Sequence, residues 1–239
     1  MCAERHRRVR WWRRPRRLAL AVAGAVALAV VALFIYEHFE DNLHVVVPGQ
    51  VYRSAQPHWW DIRGWIRRYG LKTIVNLRGA DPVDWYEDER DVADEMGVKL
   101  ISIRLSSDSP PPAAKLEELV RVLEASPRPM LLHCLGGADR TGLASVLAAM
   151  AVGGQSYAEA KRQMSPWYLH FRDSPDRIEG VLYQYEGYCR RNGLGTAGWV
   201  QFRRWVFTEY GGVAPPQRQA DGAQAPTAPA VLDSNCGGS

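Results

Sequence analysis

Residues 130–142, Met-Leu-Leu-His-Cys-Leu-Gly-Gly-Ala-Asp-Arg-Thr-Gly, constrain the fold more than any other stretch of this 239-residue chain. Met130, Leu131 and Leu132 form a short apolar run of the kind that builds a buried strand. It leads straight into Cys134 and a loop with two adjacent glycines. Leu143, Val146, Leu147 and Met150 then recur at the spacing of one helix face. A strand that turns directly into a helix is half of a crossover, and crossovers join parallel strands.

The rest of the central region repeats this alternation. Lys72–Leu77, Lys99–Leu105 and Pro129–His133 are predicted strands, with Val51–Arg53 as an edge strand. Ile62, Trp65, Ile66 and Tyr69 mark a helix that Gly70 ends. Leu116, Leu119, Val120 and Leu123 mark another, and Asp84 to Met96 forms a more polar helix stopped by Gly97. Ser156 and Glu159 have the spacing of a capping box, and Ile178, Val181, Leu182 and Tyr185 carry a later helix. The expected fold is α/β, a three-layer sandwich with a central, mostly parallel sheet and the helices after residue 155 packed on one side. Composition agrees, at 46% apolar and 23% charged residues.

The loop after the strand has a specific chemistry. A strand-to-helix turn directs several backbone N–H groups into one cup, and the helix N-terminus adds partial positive charge. Such a nest suits a tetrahedral dianion. Gly136 and Gly137 permit positive φ and close backbone approach. Arg140, six residues after Cys134, can lay its planar fork on two phosphate oxygens. The same field favours thiolate over thiol at Cys134, the form that attacks. His133 is read as a structural residue holding the cysteine backbone, and Thr141 as a donor to the sulfur. Leu135 and Ala138 complete the phosphate-binding loop. The other cysteines, Cys2, Cys189 and Cys236, make neither a zinc motif nor a disulfide framework.

The string His133-Cys134, five residues, Arg140-Thr141 resembles the signature of the protein tyrosine and dual-specificity phosphatase superfamily. Val51-Tyr52-Arg53-Ser54-Ala55-Gln56-Pro57 and Thr73-Ile74-Val75-Asn76-Leu77-Arg78-Gly79 are similar to bacterial membrane-anchored members of the dual-specificity class. The similarity extends over roughly residues 48–170. It implies a phosphatase working through a phosphocysteine, without metal or other cofactor. Its substrate would be a phosphotyrosine or phosphoserine/threonine protein, or alternatively a phospholipid or small phosphate at a membrane. A phosphate-binding pseudophosphatase is the non-enzymatic alternative, opposed by the intact Cys134 and Arg140. Leu135, where many lipid-directed relatives have lysine, weakens the case for a polyphosphorylated inositol.

Two aspartates compete to protonate the leaving group. Asp108 lies in Ser106-Ser107-Asp108-Ser109-Pro110, on a separate loop such as the superfamily uses for its acid. Asp139 lies inside the phosphate loop, as in myotubularin and Sac-type lipid phosphatases. Arg53 and Arg78 sit near predicted strand ends, where a place close to the site competes with the preferred reading as surface or salt-bridge residues. Trp167, Tyr168, His170 and Phe171 are read as core rather than pocket wall.

The N-terminus has another character. Leu18–Tyr36 is nineteen residues without a charge, enough for a membrane-spanning helix. Eight arginines and one glutamate before it give the first seventeen residues a net +7. A total of +4 therefore leaves the remainder acidic, at −3, which offers no general basic face for nucleic acid. Basic residues stay on the cytoplasmic side. The expected organisation is a basic cytoplasmic arm over 1–17, a transmembrane helix over 18–36, a lead-in over 37–50, a phosphatase domain over 51–210 and a disordered tail over 211–239. That places a single-pass protein in a bacterial inner membrane, its catalytic domain in the periplasm. A cleaved signal peptide is the alternative, disfavoured by Phe34-Ile35-Tyr36 at the end of the run. Oligomeric state is left open.

Overall fold

The computed structural model describes residues 18–32, 41–196 and 198–211. Residues 18–32 are helical (α1) and exposed throughout. The end of the expected membrane span, residues 33–36, lies outside the described residues, as do the basic arm and the tail from residue 212. Among the described residues no helix is long and apolar enough to cross a membrane.

A five-stranded sheet organises the rest, in the order β1-β2-β5-β3-β4. Its strands are β1 (His44–Val47), β2 (Val51–Ser54), β3 (Thr73–Asn76), β4 (Lys99–Ser102) and β5 (Met130–His133). β2, β5, β3 and β4 are mutually parallel, and only the β1–β2 pair is antiparallel. The segment read as a lead-in thus contributes β1. Val51–Ser54 is not an edge strand but pairs on both sides, because β1 covers its outer edge.

Side chains alternate across the sheet with period two and so build two cores. Val51, Val75, Met130 and Leu132 face one; Tyr52, Ile74 and Leu131 face the other. The smaller core is closed by α2 (Trp59–Tyr69) and α3 (Asp84–Glu95), through Ile62, Ile66 and Val92. The larger is closed by α4 (Ala113–Ala125), α5 (Asp139–Ala151), α7 (Gly180–Arg191) and α8 (Trp199–Thr208). The expected three layers are therefore present, with the late helices on one face. α8 had not been read from the sequence; Phe202, Trp205 and Val206 anchor it to α4 and α5.

Local signals end the helices where expected. Gly70 closes α2 in the left-handed region at φ 63°. Ser156 and Glu159 form a reciprocal capping box on the short α6 (Tyr157–Ala160). α5 is the innermost helix, buried from Thr141 to Met150. Its alanines and glycine let it lie close against both the sheet and α4.

Candidate active site

β5 delivers Cys134 to the carboxyl end of the sheet between β2 and β3, with His133 in register with Ser54 on one side and Asn76 on the other. That end is where open α/β sheets bind ligands. Cys134 is 3% exposed, and both it and Cys189 are free thiols.

The loop after Cys134 is shaped by what holds its carbonyls. Gln56 N–H donates to Leu135 O at 3.0 Å. Asn42 Nδ2 donates to Gly136 O at 3.1 Å, and Arg53 Nη2 to Gly137 O at 2.7 Å. In a trans peptide the carbonyl and the following N–H point opposite ways. Tying these three carbonyls outward therefore turns the N–H groups of Gly136, Gly137 and Ala138 to the other side. Among the described residues none of these three N–H groups has a backbone acceptor outside helices and strands. The start of α5 adds its dipole at the same place. The loop thus has the shape the sequence led one to expect, with its carbonyls held by residues that the sequence did not point to.

Only one of the two glycines is required. Gly137 sits at φ 66°, and a Cβ there would lie 2.7 Å from Ser54 C and Ala55 N. Gly136 has no atom within 4 Å of such a Cβ, and its φ is not positive.

Three guanidinium groups serve the site. Arg140 opens α5, with its Nε buried and unpaired among the described residues. Arg53 is not the surface residue expected. It is 0% exposed, donates from Nη1 to Gln163 O at 2.6 Å and Gln163 Oε1 at 3.0 Å, and stacks 4.1 Å from the Tyr168 ring. Burial lowers its pKa to about 10, opposed by Tyr168 and Cys134, so it stays charged at neutral pH. Arg78 is half-buried, bonds Gln56 Oε1 at 2.9 Å and lies 3.5 Å from the Trp85 ring. Burial first, then repulsion from Arg140, holds its pKa below the ordinary arginine value, while Cys134 opposes both. Both arginines read as peripheral therefore share the electrostatics of the site.

His133 faces Glu89. Its Nε2 lies 2.6 Å from Glu89 Oε1, with both side chains fully buried. Asn76 Nδ2 donates to Glu89 Oε2 at 2.6 Å, and Asn76 Oδ1 accepts from Arg78 N at 2.8 Å. This chain fixes the residue before the cysteine to the neighbouring strand and to α3. Thr141 Oγ1 is buried without a hydrogen-bond partner among the described residues. Leu135 is 60% exposed at the mouth, and Ala138 leads into α5.

The two aspartates differ in environment. Asp139 Oδ1 pairs with His170 Nδ1 at 2.8 Å and Oδ2 accepts from Arg177 Nη2 at 3.3 Å. His170, foremost, and Arg177 hold its carboxyl below the usual range against partial burial. His170 Nε2 lies 3.1 Å from the buried Glu179, whose own carboxyl is pushed up by burial. Donor atoms of Asp139, His170 and Glu179 fall within 4.8 Å of one another, near enough for a metal ion. Both imidazole nitrogens face carboxylates and Arg177 shares Asp139, while His170 Nε2 and both Glu179 carboxylate oxygens have no hydrogen-bond partner among the described residues. Asp108 is 78% exposed in its side chain and, among the described residues, accepts only from Arg177, at 2.9 Å. Arg177 thus bridges the two aspartates.

The aromatic group is not core as expected. Trp167 and Phe171 are 69% and 74% exposed, whereas Tyr168 stacks on Arg53 and the buried His170 faces Asp139 and Glu179.

A family model described as "DSP-PTPase phosphatase fused to NAD+ Kinase" matches residues 27–170, more than half of the chain. The chain belongs to this DSP-PTPase family. The DSP-PTPase match spans the sheet, Cys134, Arg140 and the braces of the loop, and the chain is a cysteine-dependent phosphatase of the tyrosine and dual-specificity superfamily. No curated protein matches it. Solved structures to which the chain is similar include the catalytic core of the PP-IP phosphatase SIW14 from S. cerevisiae in complex with citrate. It is 20% identical, covers 64% of this chain and 93% of its own, and has a TM-score of 0.47. P. aeruginosa TpbA is 23% identical, covers 70% and 91%, and also has a TM-score of 0.47. Tk-PTP in its active form is 22% identical over 61% and 97%, with a TM-score of 0.46.

Asn42, Glu89, Gln163 and Arg177 were missed in the sequence. Arg53 and Gln56 did carry a signal, since both lie in the Val51–Pro57 string that resembles the superfamily.

Proposed function

We propose that this phosphatase hydrolyses phosphate monoesters on proteins, with Cys134 as nucleophile, Arg140 as the phosphate clamp and Asp108 as general acid. The outward tethering of the loop carbonyls carries this reading, because it leaves a ring of N–H donors facing the place where a phosphoryl group meets the sulfur. The Cys134 thiolate attacks phosphorus, the P–O bond to the leaving group breaks, and Asp108 supplies the proton to the departing oxygen. Water then attacks the phosphocysteine, Asp108 accepts its proton, and phosphate leaves with the thiolate restored. Asp139 acts as an anchor for the start of α5. Its carboxylate is engaged by His170 and the Arg177 guanidinium and favoured in the charged form, which suits a fixed counter-charge better than a proton donor. The Asp108 carboxylate is 78% exposed and, among the described residues, accepts from Arg177, which leaves it open to a substrate's leaving group.

The protein is tethered to a bacterial inner membrane by Leu18–Tyr36, with the catalytic domain in the periplasm. The uncharged run and the arginines before it support this assignment. The exposure of every described residue from 18 to 32 agrees with it. Reporter fusions after residue 40 and at residue 1 test the topology; a cytoplasmic signal from the downstream fusion overturns it.

Phosphate release from a phosphotyrosine peptide should vanish in Cys134→Ser. In Asp108→Asn, turnover of alkyl phosphates should fall roughly 10²-fold or more, while p-nitrophenyl phosphate, whose leaving group needs little protonation, changes much less. If Asp139→Asn shows that contrast and Asp108→Asn does not, the assignment of the acid is wrong.

A further inference from the structure

Beside the phosphate loop lies a cleft of about 130 Å³ lined by Gln56, Pro57, His58, Trp59, Trp85 and Asp88. Its position follows from strand order. β2 and β3 both flank β5, so the segments leaving their carboxyl ends rise on either side of Cys134. The first carries Gln56 to Trp59, and the second leads through Arg78 into α3 with Trp85 and Asp88.

The walls of the cleft are linked to the phosphate loop by direct contacts. Gln56 bonds Leu135 O through its backbone and Arg78 through its side chain. Arg78 in turn lies against Trp85. Its charge also feels both Cys134 and Arg140. The walls are held in place before any ligand arrives. Arg78 fixes the Trp85 ring at 3.5 Å, Trp60 meets Trp59 edge-on at 5.4 Å, and His58 stacks on Trp60 at 4.4 Å. Trp59 is nonetheless 46% exposed, an unusual position for a tryptophan that packs into neither core.

We propose that this cleft is a substrate subsite that takes one aromatic side chain flanking the phosphorylated residue of a protein substrate. The inference deepens the phosphoprotein reading above and rests on it. Three features select that occupant. An apolar cavity of ~150 Å³ accommodates a single benzene ring, so the cleft holds one ring and not an extended acyl chain. Preorganised tryptophan walls favour a flat partner by stacking and edge contacts. Exposed Asp88 at the margin and Gln56 give the cleft polar groups that suit a peptide backbone better than lipid.

The test uses two phosphotyrosine peptides that differ only in having Phe or Ala next to the phosphotyrosine, with each flank tried in turn. Affinity is measured on the full chain carrying Cys134→Ser, so that binding is read without turnover. The Phe peptide should bind roughly tenfold more tightly on one flank, as stacking of this kind provides. Adding Trp85→Ala or Trp59→Ala should bring the ratio of the two affinities towards one. Equal affinities for Phe and Ala on both flanks would overturn the subsite. So would a ratio that survives both tryptophan substitutions. A preference for longer over shorter phosphatidate chains, without any peptide preference, would overturn it in favour of lipid. Hydrolysis of p-nitrophenyl phosphate by the wild type is the separate check on the phosphatase chemistry. If it fails while the Phe preference holds, the catalytic reading falls and the subsite stands.

Discussion

Gly137→Ala should inactivate this phosphatase while Gly136→Ala should not, although the two glycines are adjacent. At Gly137 the backbone has φ 66°, where an L side chain costs about 1–2 kcal/mol. The new methyl would also lie 2.7 Å from Ser54 C and Ala55 N and 2.8 Å from Ser54 O. These are backbone atoms at the end of a strand paired on both sides, so the loop must yield instead. Relief of such overpacking costs about 1–3 kcal/mol. Together the two costs come to roughly 2–5 kcal/mol, concentrated in the peptide whose carbonyl Arg53 holds. Moving the contact out to an ordinary distance shifts the Gly137 and Ala138 N–H groups by the better part of an ångström, a displacement that costs about 10²-fold in catalysis. The assay is kcat/KM for p-nitrophenyl phosphate, with urea unfolding in parallel. Gly137→Ala should lose about 10²-fold, whereas Gly136→Ala, with open space around its Cβ, should stay within a few-fold of wild type. Equal activity in the two variants would refute the idea that close approach of the loop to β2 shapes the phosphate cup.

Two further outcomes follow from the buried polar groups. Arg53→Met leaves Gly137 O, Gln163 O and Gln163 Oε1 without their donor, so urea unfolding should show a loss of about 2 kcal/mol or more. Arg53→Lys should not restore both activity and stability, since an ammonium cannot reproduce the two-sided planar contact. Asp139 has its carboxyl pKa held down in the fold, so its contribution to stability is complete above the ordinary carboxylate range near ~4 and is lost as pH falls through the folded value. In urea titrations at decreasing pH, Asp139→Asn should therefore be less stable than wild type at neutral pH, with the difference shrinking on acidification below about pH 4. A difference that stays constant would assign the effect to hydrogen bonding alone.

What could be read from the sequence was local. The strand Met130–His133, the cysteine, the glycine turn and the helix after it are contiguous, so their geometry follows from neighbouring residues and from the spacing of apolar side chains. The same holds for α2, α3 and α4 and for the capping box at Ser156. Elements whose signal was weak or masked were not read correctly. β1 has only four residues in a polar lead-in, and it alone decides that Val51–Ser54 is an inner strand.

The parts that make the loop an anion cup were decided only in three dimensions. Asn42 reaches Gly136 across 94 residues and Arg53 reaches Gly137 across 84. Glu89 meets His133 only because β3 lies beside β5, and Arg177 joins Asp108 to Asp139 from a loop 38 residues beyond the latter. An isolated arginine or asparagine in a sequence carries the chemistry of a surface residue, and nothing in its neighbours says otherwise. Burial makes it functional, because inside the protein a carbonyl must find a donor. The strand order determines which donor is near enough.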